Sequence, residues 1–227
     1  LYGIFPMIIG TLSVTFGAAL IGVPVALCVS IFLTEFAPKQ IRMFMRSTIQ
    51  LLAGIPSVVY GFWGLTFIVP FIRDYLGGPG LSILAGSLIL AIMILPIITA
   101  IARDSLASLP PELRQASLGL GATRWETIFR VLIPAAFSGI VGGIMLALGR
   151  AMGETMAVTM IIGNSNRLSW SLLNPANTIA SLLANQFAEA SGMQVSALMY
   201  AGFVLIVLTF VVNILAELIV NKVKAKY

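Results

Sequence analysis

The chain has 227 residues, of which 59% are hydrophobic and 9% charged, and its net charge is +5; a soluble domain carries roughly 25% charged residues. It has no histidine and one cysteine, Cys28, which excludes an internal disulfide, a zinc site of Cys and His, and Ser-His or Cys-His catalysis. Ten of the thirteen basic residues fall in three clusters, Lys39, Arg42 and Arg46; Arg103, Arg114, Arg124 and Arg130; and Lys222, Lys224 and Lys226, so the charge reads as membrane topology rather than as a nucleic-acid footprint.

Long uncharged runs separate these charges: Leu1 to Thr34, Ser47 to Ile72, Tyr75 to Ala102, Val131 to Gly149 and Ala190 to Ala216. A hydrocarbon layer about 30 Å thick takes about 20 apolar residues as a helix, and water-free hydrocarbon forces such runs to be helical. The reading is an all-α polytopic membrane bundle with five spans and a single transmembrane domain over residues 1–227. Span one runs from about Phe5 to Phe32. The chain starts on leucine rather than methionine, so a further upstream helix is expected. Span two runs from about Ile41 to Ile72, interrupted at Gly54-Ile55-Pro56, where proline removes a donor and bends the helix. Arg73-Asp74 and Gly77-Gly78-Pro79-Gly80 make an outer turn. Span three covers about Ser82 to Ala102, and a charged segment follows from Arg103 to Arg130. Span four rises from about Pro134 to Ile162. An outer loop with Asn164, Asn166, Arg167, Trp170, Asn174-Pro175 and Asn177 leads to a polar-faced helix near Ile179 to Ala190, and span five covers about Val195 to Val220. With basic loops inside, ten basic residues are cytoplasmic and Arg73 and Arg167 are outside. The N-terminus of this sequence then lies outside and its C-terminus in the cytoplasm. Gly10, Gly17 and Gly22 in span one, and Gly139-x-x-x-Gly143 and Gly149-x-x-x-Gly153 in span four, allow close helix packing; the second reading of these glycines is a substrate-path lining.

The segment 104–131 is amphipathic. Leu109-Pro110-Pro111-Glu112 starts a helix, since proline suits the first turn and an acid its positive end. Gln115, Ala116, Ser117 and Leu118 continue it, and Gly119 and Gly121 allow a sharp turn. Thr123 caps a second short helix with Glu126 as capping-box partner, and Pro134 opens span four. Two short helices with a glycine elbow thus project into the cytoplasm. Their shape suits docking into a partner's groove and equally an interfacial connector.

Gln115-Ala116-Ser117-x3-Gly121-x9-Val131-Leu132-Ile133-Pro134 resembles the EAA loop of ABC importer permeases, which reads Glu-Ala-Ala, three residues, Gly, nine residues, Ile-x-Leu-Pro. The spacing is intact while Gln and Ser replace Glu and the second Ala. The resemblance implies a type I importer core in which Glu112, Gln115, Ala116, Ser117 and Gly121 couple the chain to an ATP-binding subunit. Ile55-Pro56-Ser57-Val58-Val59-Tyr60-Gly61-Phe62-Trp63-Gly64 and Leu148-Gly149-Arg150-Ala151-Met152-Gly153-Glu154-Thr155-Met156-Ala157-Val158-Thr159-Met160 are similar to the PstC-type branch, the permeases of phosphate importers. That branch implies inorganic phosphate as substrate, a second, PstA-like permease subunit, a dimer of ATP-binding subunits carrying ATP and Mg, an external phosphate-binding protein, and no cofactor on this chain. It also implies a bacterial inner-membrane location.

Arg150 and Glu154 stand out as charges within a span, which are expensive and functional by default. Four positions apart on one helix, they share a face. At about 1.5 Å per residue from Pro134, Arg150 comes about 24 Å up the helix, in the outer half of the membrane or deeper if the helix tilts. A guanidinium binds oxyanions with paired hydrogen bonds, and a carboxylate can accept the proton that phosphate still carries at neutral pH. Glu154 would also neutralise Arg150 at rest. An ion pair that only fixes helix packing or a subunit contact is the competing reading. Thr155 and Thr159 offer hydroxyls, although such hydroxyls commonly bond their own backbone; Ser57 and Tyr60 beside Pro56 could line the same path. No Gly-x-x-x-x-Gly-Lys-Ser/Thr loop is present, so the chain is not itself an ATPase or other enzyme. The alternatives are a permease for another oxyanion or small solute and a gradient-driven secondary transporter with Glu154 as proton site. An inverted repeat would mark the latter, and none is visible.

Overall fold

The computed structural model describes residues 3–167, 169 and 171–224; Trp170 of the expected outer loop and Lys226 of the last basic cluster lie outside the described residues. Every regular element among the described residues is helical. In chain order these are α1 (Phe5–Phe36), α2 (Lys39–Gly54), α3 (Ser57–Leu76), α4 (Ile83–Ala107), α5 (Pro111–Gly119), α6 (Arg124–Met152), α7 (Met156–Ile161), α8 (Ile179–Gln186) and α9 (Met193–Lys224). Four of them, α1, α4, α6 and α9, are long and apolar enough to cross a membrane singly, and α2 with α3 makes a fifth crossing as a bent pair.

The bundle is built on α4. In its most apolar stretch 67% of residues are buried, against 11% for α9, so α4 is the axis and α9 a peripheral wall. Ser82 starts α4 by accepting the Ala85 amide at 3.2 Å. Two buried hydroxyls fix its register on α1: Ser87 donates to the Val14 carbonyl at 3.3 Å and Thr99 to the Ala26 carbonyl at 3.5 Å. Both contacts advance in the same direction along the two helices, so α1 and α4 run parallel and the chain between them must return across the bundle. α6 packs antiparallel to α4, with Gly139 against Ser105 and Gly143 against Ile101. A Cβ at Gly139 would overlap the Ser105 hydroxyl, so this pair of helices depends on a missing side chain to reach contact distance.

That return crossing differs from the one expected. Instead of one kinked helix from Ile41 to Ile72, the chain turns through 94° between α2 and α3. Ile55 is extended, with ψ 129°, as the residue before a proline prefers, and the helix restarts at Ser57. α2 runs obliquely and buries only Ile49.

Span four also differs. α6 begins at Arg124, and the expected second short helix of the charged segment is its first turn. Pro134 is accommodated inside it because a π turn, Ile128–Leu132, loosens the ladder just before the ring removes a donor. The helix then stops at Met152, and residues 153–155 separate it from α7.

The expected outer loop is exposed at Asn164, Asn166, Arg167 and Asn174 but turns inward at Ala176, Asn177 and Thr178. The Ala176 amide donates to the Ile162 carbonyl at 3.0 Å, and the Ile83 amide to the Asn174 carbonyl at 3.3 Å. Asn177 is buried, and its carbonyl fills the space a Cβ on Gly10 would take. The first turn of α8 is buried too, and its amides find side-chain partners. Thr178 accepts from Ser181 at 3.1 Å, and Thr11 on α1 accepts from Ile179 at 3.1 Å while donating to Met7 at 2.7 Å. Irregular backbone at this depth survives because protein groups pair it.

Candidate functional site

The antiparallel register of α6 on α4 fixes the depth of Arg150. With Gly139 beside Ser105 and Gly143 beside Ile101, Arg150 falls opposite the turn around Ile94, the middle of α4. Arg150 and Ile97 indeed line one groove. The residue therefore sits at mid-bundle, the deeper of the two expected placements. A count from Pro134 without tilt misplaces it because α6 starts well below the apolar layer, so Pro134 is no mark of the membrane surface.

Two helix breaks meet at this level, one before Ser57 and one at residues 153–155. Beyond them α3 and α7 pack directly: a Cβ on Gly61 would lie 3.1 Å from the Ala157 Cα and 2.7 Å from the Met160 sulfur. Ser57 is half-buried at the first turn of α3. Tyr60 is buried and its hydroxyl donates to the Leu52 carbonyl at 2.8 Å. A continuous helix would offer that carbonyl the amide of residue 56, and Pro56 has none, so Leu52 takes the Ile55 amide at 3.3 Å and the Tyr60 hydroxyl instead.

Arg150 occupies the last turn of α6 and is exposed. It opens into a groove of about 750 Å³ lined by Ile97, Gly142, Met145, Leu146, Gly149 and Asn213. Glu154 does not share its helix face. Gly153, at φ −90° and ψ 0°, ends α6, and the Glu154 carboxylate instead accepts the Ala157 amide at 3.4 Å, at the start of α7. Among the described residues the ion pairs are Arg73–Asp74, Arg103–Asp104 and Arg114–Glu35, so Arg150 and Glu154 are not paired. Spacing by four brings two side chains together only while the helix continues, and here it does not. Thr155 precedes α7, and Thr159 donates its hydroxyl to the Thr155 carbonyl at 2.6 Å, a bond to its own helix.

Sequence reasoning missed Asn213. It stands on α9, its carboxamide oxygen is buried without a partner, and its amide nitrogen approaches Gly149 on the groove wall. The available signal was a carboxamide inside the apolar run Ala190 to Ala216. Thr209, a turn earlier, already satisfies itself on the Leu205 carbonyl at 2.8 Å; Asn213 does not. The groove thus presents one guanidinium and one carboxamide against apolar walls, a surface that can hold an oxyanion transiently. The glycines divide between two duties: Gly139 and Gly143 pack helices, while Gly142 and Gly149 line the groove.

At the basic end, α5 buries none of its residues. Glu112 lies in its first turn and Gln115 and Ala116 point to solvent. Ser117 shares a 2.9 Å hydrogen bond with Thr127 on α6, and Arg114 bonds Glu35 at the end of α1 at 2.5 Å. Gly121 makes the elbow with φ +86°, a conformation glycine adopts without penalty. Thr123 and Glu126 form the expected capping box: the Thr123 amide donates to the Glu126 carboxylate at 2.8 Å, and the Glu126 amide to the Thr123 hydroxyl at 3.3 Å. The Thr123 amide first, and then its hydroxyl, which also donates to the carboxylate at 2.8 Å, hold the Glu126 carboxyl below its ordinary range. Trp125 packs at a tilt on Phe36 with ring centres 5.4 Å apart, and Leu120 at the elbow is 90% exposed. The segment is a stiff, hydrogen-bonded projection whose outer surface meets no other part of the chain.

A bundle broken at mid-depth, a groove with an unpaired arginine and a rigid projection at one end define a membrane permease. Residues 22–225 match the family described as binding-protein-dependent transport system inner membrane component, and the chain belongs to that family. It is 42% identical over 245 residues to the phosphate transport system permease protein PstC of Pasteurella multocida (strain Pm70), covering 99% of this chain and 77% of that one. It is 42% identical over 226 residues to the probable ABC transporter permease protein YqgH of Bacillus subtilis (strain 168), covering 98% and 73%. Among solved structures, a bacterial alginate ABC transporter bound to its periplasmic protein shares the fold with a TM-score of 0.74 at 16% identity, covering 97% of this chain and 79% of that one. The MetNI methionine ABC transporter in an inward-facing form shares it with a TM-score of 0.72 at 18% identity, covering 97% and 94%.

Proposed function

We propose that this chain is the permease subunit through which an ATP-driven importer carries inorganic phosphate into the cytoplasm. The observation that carries the reading is the 42% identity, over nearly the whole chain, to permeases named for phosphate transport. The groove chemistry supports it. The Arg150 guanidinium offers paired donors to an oxyanion, and Asn213 adds a neutral donor. The contact between Glu154 and Ala157 is long at 3.4 Å, so the carboxylate can turn to accept the proton of a hydrogen phosphate. A fully ionised oxyanion such as sulfate has no proton to give and is repelled. Thr155 and Ser57 flank the passing ion at the two breaks, and Tyr60 and Thr159 shape those breaks through bonds to backbone carbonyls.

In this reading the basic end faces the cytoplasm, and α5 with its elbow seats in a subunit of an ATP-binding dimer that carries ATP and Mg. Arg114 and Ser117 pass the motion of α5 to α1 and α6. The groove is one wall of a path closed by a second, PstA-like permease subunit, and an external phosphate-binding protein delivers substrate at the opposite end.

The test is reconstitution of the assembled transporter in proteoliposomes with its binding protein. ATP-dependent phosphate uptake that excess sulfate or molybdate leaves unchanged is the expected result. Competition by sulfate would overturn the substrate, and uptake driven by a proton gradient without ATP would overturn the mechanism.

A further inference from the structure

A second groove, of about 360 Å³, opens at the basic end between the end of α1, the start of α2 and the last turns of α4. Lys39, Arg42, Arg46 and Arg103 all line it, with Asp104 as the one acid. Asp104 is spent on Arg103, whose Nη2 donates to it at 2.7 Å, and the nearby Glu35 is held by Arg114. Three cations therefore converge on the groove without an acid on its walls to balance them. Like charges gathered this way cost stability unless an anion joins them. Arg42 is also held in place: its Nη2 donates to the Ala37 carbonyl at 3.1 Å and reaches the Thr34 carbonyl at 3.5 Å. A guanidinium has five donor hydrogens, so most of the fork is left to point at a ligand.

The surroundings decide what kind of anion fits. Lys39, Arg42 and Arg46 follow one face of α2 at helical spacing. Another stripe carries Ile41, Phe44 and Leu51, all exposed. The 94° turn after α2 lays this helix obliquely across the end of the bundle. Charges on one face and bare apolar side chains on the other are the pattern of a helix at the boundary between headgroups and acyl chains. A free anion has no use for the apolar stripe; a phospholipid uses both.

We propose that this groove binds the headgroup of an anionic phospholipid, with the phosphodiester against Arg42 and Arg46 and the acyl chains along Ile41 and Phe44. The site is separate from the Arg150 groove. It ties lipid to the junction of α1 and α2, next to the Arg114–Glu35 contact that anchors α5.

The experiment uses the assembled transporter in nanodiscs of phosphatidylglycerol and phosphatidylcholine, followed by native mass spectrometry of the lipid retained on release. Wild type is expected to retain phosphatidylglycerol preferentially. The double substitution Lys39→Gln with Arg46→Glu is expected to lower that preference about tenfold or more. It leaves Arg42 and its carbonyl bonds in place, so the α1–α2 junction is kept. Equal retention of the two lipids by wild type would overturn the proposal without any variant. So would displacement of the retained lipid by inorganic phosphate, which would make the groove a simple anion site. Loss of the ATP-binding subunit from the variant with unchanged lipid retention would make it a protein-docking surface and overturn the proposal as well.

Discussion

The elbow at the basic end and the break at mid-bundle are both places where helices stop, and they stop for different reasons. At the elbow every stop is written in local chemistry: Pro111 opens α5, Gly121 takes φ +86°, and Thr123 and Glu126 cap the first turn of α6. At mid-bundle, α6 ends at Gly153, and the one side-chain bond to the break is the long 3.4 Å contact from the Ala157 amide to Glu154. What holds that end open is tertiary: α7 lies on α3 through Gly61, and the Tyr60 hydroxyl bonds the Leu52 carbonyl beside Pro56. The elbow is stiff by itself, whereas the break depends on its neighbours. A motor gains from a rigid handle, and a path gains from a wall that rearranges when its neighbours move.

The largest effect should come from the site that the break exposes. Arg150→Ala is expected to reduce phosphate uptake by about 100-fold, the equivalent of losing two charge-assisted hydrogen bonds, while the subunits still co-purify. Arg150→Lys keeps charge but not the paired donors and should recover only a small part of the rate. Uptake measured in proteoliposomes with both variants decides whether geometry or charge dominates; full activity in Arg150→Ala would place the residue outside the path. Gly139→Leu attacks the packing that sets the depth of Arg150. It forces a side chain into Ser105, and overpacking of this kind costs about 1–3 kcal/mol, to be read as a lower thermal midpoint of the assembled transporter. Arg114→Ala acts at the handle. It removes the bond to Glu35 and should lower stimulation of ATP hydrolysis by the binding protein several-fold at unchanged basal rate, because α5 would still dock but pull on α1 less directly.

The same contrast explains how far the chain is legible from its residues alone. The five crossings, the elbow, its capping box and the resemblance to importer permeases all rest on hydropathy, turn residues or spacing, which are local. Gly54-Ile55-Pro56 marks an interruption of the second crossing but not that it is a 94° turn, and the stop at Gly153 lies inside an apolar stretch where hydropathy has no contrast, so that span reads as continuing through. The pairing of Arg150 with Glu154 fails for that reason alone, since it assumes an unbroken helix. The inward turn at Ala176, Asn177 and Thr178 is hidden because asparagine and proline mark a loop without saying where it turns into the bundle. Asn213 becomes visible only when α9 is set against α6, since nothing in its own neighbourhood separates it from Thr209 except what each one bonds.

The smallest effect should be at the cap itself. Thr123→Ala removes the hydroxyl that accepts the Glu126 amide and bonds its carboxylate, and leaves the bond from the backbone amide of residue 123. Because the folded segment holds the Glu126 carboxyl below its ordinary range, the folded form binds its proton less readily than the unfolded form. The stabilisation is therefore present above the ordinary glutamate range and is lost as pH falls through the lowered native value. Hydrogen exchange of the amides of residues 123–127, compared at neutral and acid pH, should show protection falling with acid in wild type and falling less in Thr123→Ala, where part of the bonding is already gone. Identical acid sensitivity in the two would mean that the backbone amide alone sets the carboxyl's affinity, and the elbow would then owe its stiffness to Gly121 and the Ser117–Thr127 bond rather than to its cap.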